Sequence, residues 1–299
     1  MTAYLDPKTL ERIKRLDVRA RLVVEGFVAG QHRSPYHGFA VEFATHREYS
    51  PGDDLRHLDW KVWSRSDRLY IKEYEEETNL QCTLVVDASR SMQYGGAWRK
   101  YDHGATAAAS LAYLLQREQD AVGLVTFANG ILKNLPPSSH PNHLKLLVNE
   151  LETTEPGNGT DLAAVFPLLA RQIRRRGLVV LVSDLFVPRG VLADLLRQLA
   201  IRKHETIVFH VLHHDELKFP FGDNVLFRGL EDRQELLAEP RALRRSYLAA
   251  IERFVSDVRA TCARAGVDYV LLNSSAPLDA ALGRYLAFRQ KVRRTAHQR

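Results

Sequence analysis

The stretch "CTLVVDASRSM", residues Cys82 to Met92, runs from an apolar segment straight into one carboxylate and two hydroxyls, at Asp87, Ser89 and Ser91. An apolar run of this length, rich in β-branched residues, reads as a buried strand. Its polar end reads as the mouth of a site. Four further runs have the same texture: "AVGLVTFA" (121–128), "GLVVLVSD" (177–184), "ETIVFHVL" (205–212) and "VDYVLLN" (267–273). Helical patterns lie between most of them. Leu162, Val165, Phe166, Leu169 and Ile173 keep one face, as do Leu192, Leu195, Leu196 and Leu199, and "HGATAAASLAYLLQRE" is apolar almost all round. Near-continuous apolar strands alternating with helices predict a doubly wound α/β fold of Rossmann type, with a mostly parallel sheet covered on both faces.

Working outward, Leu10, Ile13, Leu16, Ala20, Val23 and Phe27 recur at three- and four-residue steps, which predicts one amphipathic helix over about 7–28. From Ser34 to Leu80 short aromatic and β-branched pieces such as "FAVEFA" and "RLYIKEYEE" are broken by "SPGDD", the pattern of strands and turns. Two regions are expected: an N-terminal helix with a β-rich segment over 1–79, and the α/β domain over 80–299. Within the second, "VLFRGLEDRQELLAEP" predicts a hairpin around Glu231–Gln234 and then a long helix, an insertion at about 215–260.

Composition narrows the class. A hydrophobic fraction of 45% can fill a full core, and no apolar run approaches the ~18 residues of a membrane span. The N-terminus lacks the basic-then-apolar pattern of a signal peptide, and a cytoplasmic location is expected. The two cysteines, Cys82 in a strand and Cys262 in a helix, read as inert core thiols rather than a disulfide or zinc pair. A formal net charge of +6 raises the question of nucleic acid. The basic clusters, "RRR" at Arg174–Arg176 and "KVRRTAHQR" at the end, lack interleaved aromatics and fit solvated helix ends better.

The chemistry gathers at strand ends. If the chain stays extended past Asp87, residues spaced by two point the same way, and Asp87, Ser89 and Ser91 converge. One carboxylate and two hydroxyls are hard oxygen ligands, suited to Mg²⁺, Mn²⁺ or Ca²⁺ and poor for zinc. "GNGTDL" places Thr160 and Asp161 in a glycine-rich loop before a helix, and "LVVLVSDL" closes a second buried strand at Asp184. Each of these residues could instead cap a helix.

The order D-x-S-x-S, then Thr, then Asp resembles the metal-ion-dependent adhesion site of von Willebrand factor A domains, over roughly residues 80–290. That resemblance implies Asp87, Ser89, Ser91, Thr160 and Asp184 as ligands, direct or through water, with Asp161 behind them. Upstream, "EFATHREYSPGDDLRHLDWKVWSRSDRLYIKEYEEE" resembles the bacterial family known as domain of unknown function 58. Members often carry membrane anchors, and this chain looks like a short soluble form. The family commonly accompanies MoxR-type AAA+ ATPases, which implies an adaptor that couples client proteins to such an ATPase for maturation or cofactor insertion. Asp53, Asp54, Arg56, Asp59 and Arg65 of that segment read either as an ion-pair network or as a second binding surface.

Neutral hydroxyl ligands leave a bound Mg²⁺ net positive, so a Glu or Asp of a partner protein can complete its coordination. A non-enzymatic, metal-dependent interaction module is therefore the leading expectation. Two alternatives stand beside it: a metal-assisted phosphoesterase with His213 or His214 as base, and nucleic-acid binding through the basic C-terminus.

Overall fold

The computed structural model describes residues 7–31, 46–48, 63, 70–72, 80–157, 162–173, 175–222, 225–229, 235–279, 281–285 and 287. The chain forms two compact units: residues 1–31 with 80–299, and residues 32–79. In the smaller unit, β1 (His46–Glu48) and β2 (Tyr70–Lys72) pair antiparallel. Asp53, Asp54, Arg56, Asp59 and Arg65 lie outside the described residues.

All five apolar runs are strands of one six-stranded sheet: β3 (Gln81–Asp87), β4 (Ala121–Phe127), β6 (Leu178–Ser183), β7 (Glu205–Leu212) and β10 (Asp268–Asn273). The sixth is β5 (Ile131–Ser138), antiparallel to β4. Its sequence "ILKNLPPS" lacks the apolar signature because it is an edge strand, and Pro136 and Pro137 can sit there without breaking an inner ladder. The order is β10-β7-β6-β3-β4-β5. The chain winds outward from β3 in one direction, returns to β6 beside it, and winds outward in the other. The fold is thus the doubly wound, Rossmann-type α/β architecture, with its topological switch point between β3 and β6.

Two apolar clusters cover the two faces of the sheet. On one lies α3 (Lys100–Arg117), buried almost all round. Gly104 allows its close approach, since a Cβ there would come 2.9 Å from Val182 Cγ1. The other face holds α5 (Leu162–Gln172) and α6 (Arg189–Ile201), through the apolar stripes read from sequence. The Cys82 and Cys262 thiols are free, and burial pushes both above the usual thiol range.

The N-terminal segment corrects one expectation. In place of one helix there are two, α1 (Pro7–Glu11) and α2 (Leu16–Gln31). A continuous helix would place Leu10 and Leu16 about 120° apart around its axis. The break lets both reach 1% exposure. Between β3's sheet neighbours and the C-terminus, α4 (His143–Thr153) packs beside α3, and α7 (His214–Lys218) follows β7. The predicted hairpin pairs β8 (Val225–Arg228) with β9 (Glu235–Ala238), and the long helix is α8 (Pro240–Arg264).

Candidate functional site

β3 and β6 are adjacent and parallel, so Asp87 and Asp184 emerge together at the carboxyl end of the sheet. Both are sealed from solvent, at 0% and 1% exposure. Beyond Asp87 the chain does not stay extended as the spacing argument assumed. It turns into a 3₁₀ segment over Arg90–Gln93. The turn, rather than a strand's pleat, brings the hydroxyls together: Ser89 Oγ and Ser91 Oγ stand 3.1 Å apart. Helix capping is not Ser89's role, for its side chain makes no cap hydrogen bond. Glycine is required just after, where Gly95 has φ +129° and a Cβ would come 2.4 Å from the Trp98 carbonyl.

The Asp87 carboxylate accepts the Ser89 amide at 2.8 Å and the Ser183 hydroxyl at 2.5 Å. Burial, and after it the charge of Asp184, push Asp87 up to about 7, against the hydrogen bonds from Ser183 and Ser89. Asp184 has a different partner. Lys100 Nζ, 1% exposed, donates to Asp184 Oδ2 and to Glu216 Oε1, each at 2.8 Å. The ammonium also lies 4.8 Å from the Phe186 ring centre. Burial alone would lower the Lys100 pKa, but Asp184 and Glu216 outweigh it and hold the group above its ordinary value. Leu185, at φ +57° and fully buried, makes the turn that separates Asp184 from Phe186.

His210 on β7 supports this turn from behind. Its Nε2 lies 2.9 Å from the Asp184 carbonyl, which can only accept, so Nε2 carries the proton and Nδ1 accepts the Tyr269 hydroxyl at 2.8 Å. Burial lowers this imidazole to about 4 and keeps it neutral. His213 is occupied as the cap of α7, where Nδ1 accepts the Asp215 amide at 3.2 Å. Its ring packs edge-on against Tyr94.

The loop toward α5 begins against the same turn. Gly157 N–H donates to the Ala88 carbonyl at 3.3 Å, and Gln93 Nε2 donates to the Pro156 carbonyl. Thr160 and Asp161 themselves lie outside the described residues.

Of the residues singled out in sequence, Asp87, Ser89, Ser91 and Asp184 lie buried at one end of the sheet. Ser183, Lys100, Glu216 and His210 belong to the same cluster and were not anticipated. Lys100 did carry a signal: a lysine at the first position of a nearly all-apolar helix stands against the helix dipole and needs an anion.

Among the described residues no three His, Cys, Asp or Glu side chains group to hold a metal. A cation here would therefore depend on the serine hydroxyls as well as on Asp87. That donor set fits a hard divalent ion. Asp184 and Glu216 share the Lys100 ammonium, whereas Asp87, raised by burial and by the neighbouring Asp184, has hydrogen-bond donors only.

A doubly wound α/β domain with an oxygen-lined cluster at its switch point is the class that fold and cluster define. A family profile described as "Protein of unknown function DUF58" matches residues 45–255, more than half of the chain, and the protein belongs to that family. An uncharacterised protein of Mycobacterium tuberculosis strain H37Rv is 27% identical over 98% of this chain and 93% of its own length. The crystal structure of the conserved hypothetical protein BatB from Bacteroides thetaiotaomicron aligns with 71% of this chain and 99% of that one, at 17% identity and a TM-score of 0.47. An aerotolerance-related membrane protein from Bacteroides fragilis aligns with 72% and 99%, again at 17% and 0.47. In the present chain, no helix among the described residues is long and apolar enough to cross a membrane.

Proposed function

We propose that the protein is a non-enzymatic interaction module whose switch-point cluster holds a divalent cation, Mg²⁺ in the first instance. Asp87, Ser89 and Ser91 are the direct or water-bridged ligands, joined by Thr160 from the α5 loop and by Asp184 through water, with Asp161 behind them. The observation that carries this reading is the pairing of the Ser89 and Ser91 hydroxyls beside a fully buried carboxylate that, among the described residues, has no cationic side chain of its own. Mostly neutral ligands leave an ion its positive charge, which suits a Glu or Asp side chain offered by another protein.

The reading extends to partners. The family resemblance implies an adaptor that brings client proteins to a MoxR-type AAA+ ATPase, and a carboxylate from either could complete the site. Calorimetric titration of Mg²⁺ into the protein and into Asp87→Ala tests the cation. Saturable heat is expected from the first and none from the second, and equal heats overturn the reading. A pull-down with a purified MoxR-type ATPase, with and without chelator and with Ser89→Ala/Ser91→Ala, tests the partner. Capture that ignores both chelator and substitutions would detach the partner from the site.

A further inference from the structure

The two edges of the six-stranded sheet are finished differently. At one end, β5 carries Lys133, Pro136 and Pro137 and loses register with β4 twice. These are the devices by which natural sheets blunt an exposed edge. At the other end, β10 reads "DYVLLN", without proline, glycine or lysine, and pairs in unbroken parallel register with β7 over all six residues.

Among the described residues no strand pairs with the outer side of β10. Ser274 N–H donates to the Leu212 carbonyl on β7 at 3.0 Å. Backbone groups alternate along a strand, so residues 268, 270 and 272 also face β7, while Tyr269, Leu271 and Asn273 turn their N–H and C=O outward. Among the described residues no backbone group pairs with those of Tyr269 or Leu271. They floor a groove of about 670 Å³, walled by Arg259 and Ala263 of α8 on one side and by Gly283 and Arg284 on the other. Arg284 is 46% exposed and reaches Asp268 only at 3.7 Å, while the Arg259 guanidinium lies 5.5 Å from the Tyr269 ring centre.

We infer that this groove is a second interaction site, which takes an extended, acidic segment of a partner protein as an added strand beside β10. The unpaired amides supply the hydrogen bonds of strand addition, and the two arginines set the charge. A second copy of this chain is disfavoured as occupant, because two-fold pairing would set Arg259 and Arg284 against their own copies on a chain of net charge +6. The site is separate from the switch-point cluster and does not rest on its metal reading.

A fluorescein-labelled eight-residue peptide alternating glutamate and valine is the probe, with a lysine–valine peptide as control. The acidic peptide should bind saturably and less tightly at high salt. Leu271→Pro, which removes one outward N–H, and Arg259→Glu/Arg284→Glu should each weaken it by about tenfold or more. Amide exchange at Tyr269 and Leu271 should slow in its presence. Should Leu271→Pro fail to fold, the arginine variant decides. No saturable binding, equal binding of the lysine–valine peptide, or protection of these amides by concentration-dependent dimerisation in sedimentation would overturn the inference.

Discussion

Asp87 and Asp184 leave neighbouring parallel strands at the same end of the sheet, and neither is open to solvent. Their surroundings diverge from there. Asp184 faces a buried ammonium that is itself shared with Glu216, so its charge is balanced within the protein. Asp87 faces the Ser89 amide and the Ser183 and Ser89 side chains, which satisfy hydrogen bonds but supply no positive charge. Electrostatically, one half of the cluster carries its own counter-ion and the other has neutral donors only. The difference explains why the proposed cation is assigned to Asp87 and the serines, since Lys100 already serves Asp184.

The largest effect should come from undoing the half that carries its own counter-ion. Lys100→Met keeps the length of the side chain and deletes the charge, leaving Asp184 and Glu216 uncompensated in a buried site. Removing one partner of a buried pair costs about 3–5 kcal/mol, read as a shift in urea unfolding. Mg²⁺ should stabilise this variant more than the wild type, since two anionic groups now lack a counter-ion. An equal Mg²⁺ response would break the proposed division of labour between the two halves.

Acid probes the helix that carries Lys100. His103, one turn along α3, is fully enclosed, neither ring nitrogen has a hydrogen-bond partner, and burial lowers it from 6.5 to about 3. The unfolded chain therefore binds a proton below pH 6.5 that the folded chain refuses until about pH 3, and stability falls as pH drops through that window. Between pH 7 and 5 this amounts to about 2 kcal/mol. His103→Leu should remove that part of the slope, measured as the difference between variant and wild type at the two pH values. Ser183→Ala comes next. It strips a hydroxyl from Asp87 and an acceptor from the buried Leu185 N–H, which costs about 1–2 kcal/mol, and it leaves the Lys100 charge in place.

Much of this architecture is legible in the sequence, and for physical reasons. A strand buried on both faces must be apolar throughout, so β3, β4, β6 and β7 announce themselves, and the half-buried edge strand β10 keeps enough of the same texture to be read with them. β5 hides because an edge strand is free to carry Lys133, Pro136 and Pro137. Asp87 and Asp184 stand out because each ends such a run. Lys100 and Glu216 do not, because their meeting across 116 residues is a property of the tertiary fold. The turn after Asp87 is illegible for a related reason: spacing by two fits a pleat, and local Ser, Arg and Met carry no signal that distinguishes a pleat from a 3₁₀ turn. The break between α1 and α2 was equally hidden, since it is Leu10 and Leu16 reaching one core that imposes it.

The smallest stability effect should accompany the most informative binding result. The Ser89 and Ser91 hydroxyls bond to each other, and the Ser89 side chain also supports the Asp87 carboxylate. Replacing both with alanine removes the hydroxyl pair together and takes one neutral hydrogen bond from Asp87, a cost of about 1 kcal/mol. The Asp87 amide contact from Ser89 is a backbone bond and survives the change. If the hydroxyls exist only to complete a packed turn, Ser89→Ala/Ser91→Ala should leave every property of the protein almost unaltered. If they are ligands, the variant should unfold at nearly the wild-type urea concentration without Mg²⁺ and lose the stabilisation that Mg²⁺ gives the wild type. The two outcomes differ in sign of response rather than in degree, so one pair of unfolding curves, with and without Mg²⁺, separates a structural turn from half of a cation site.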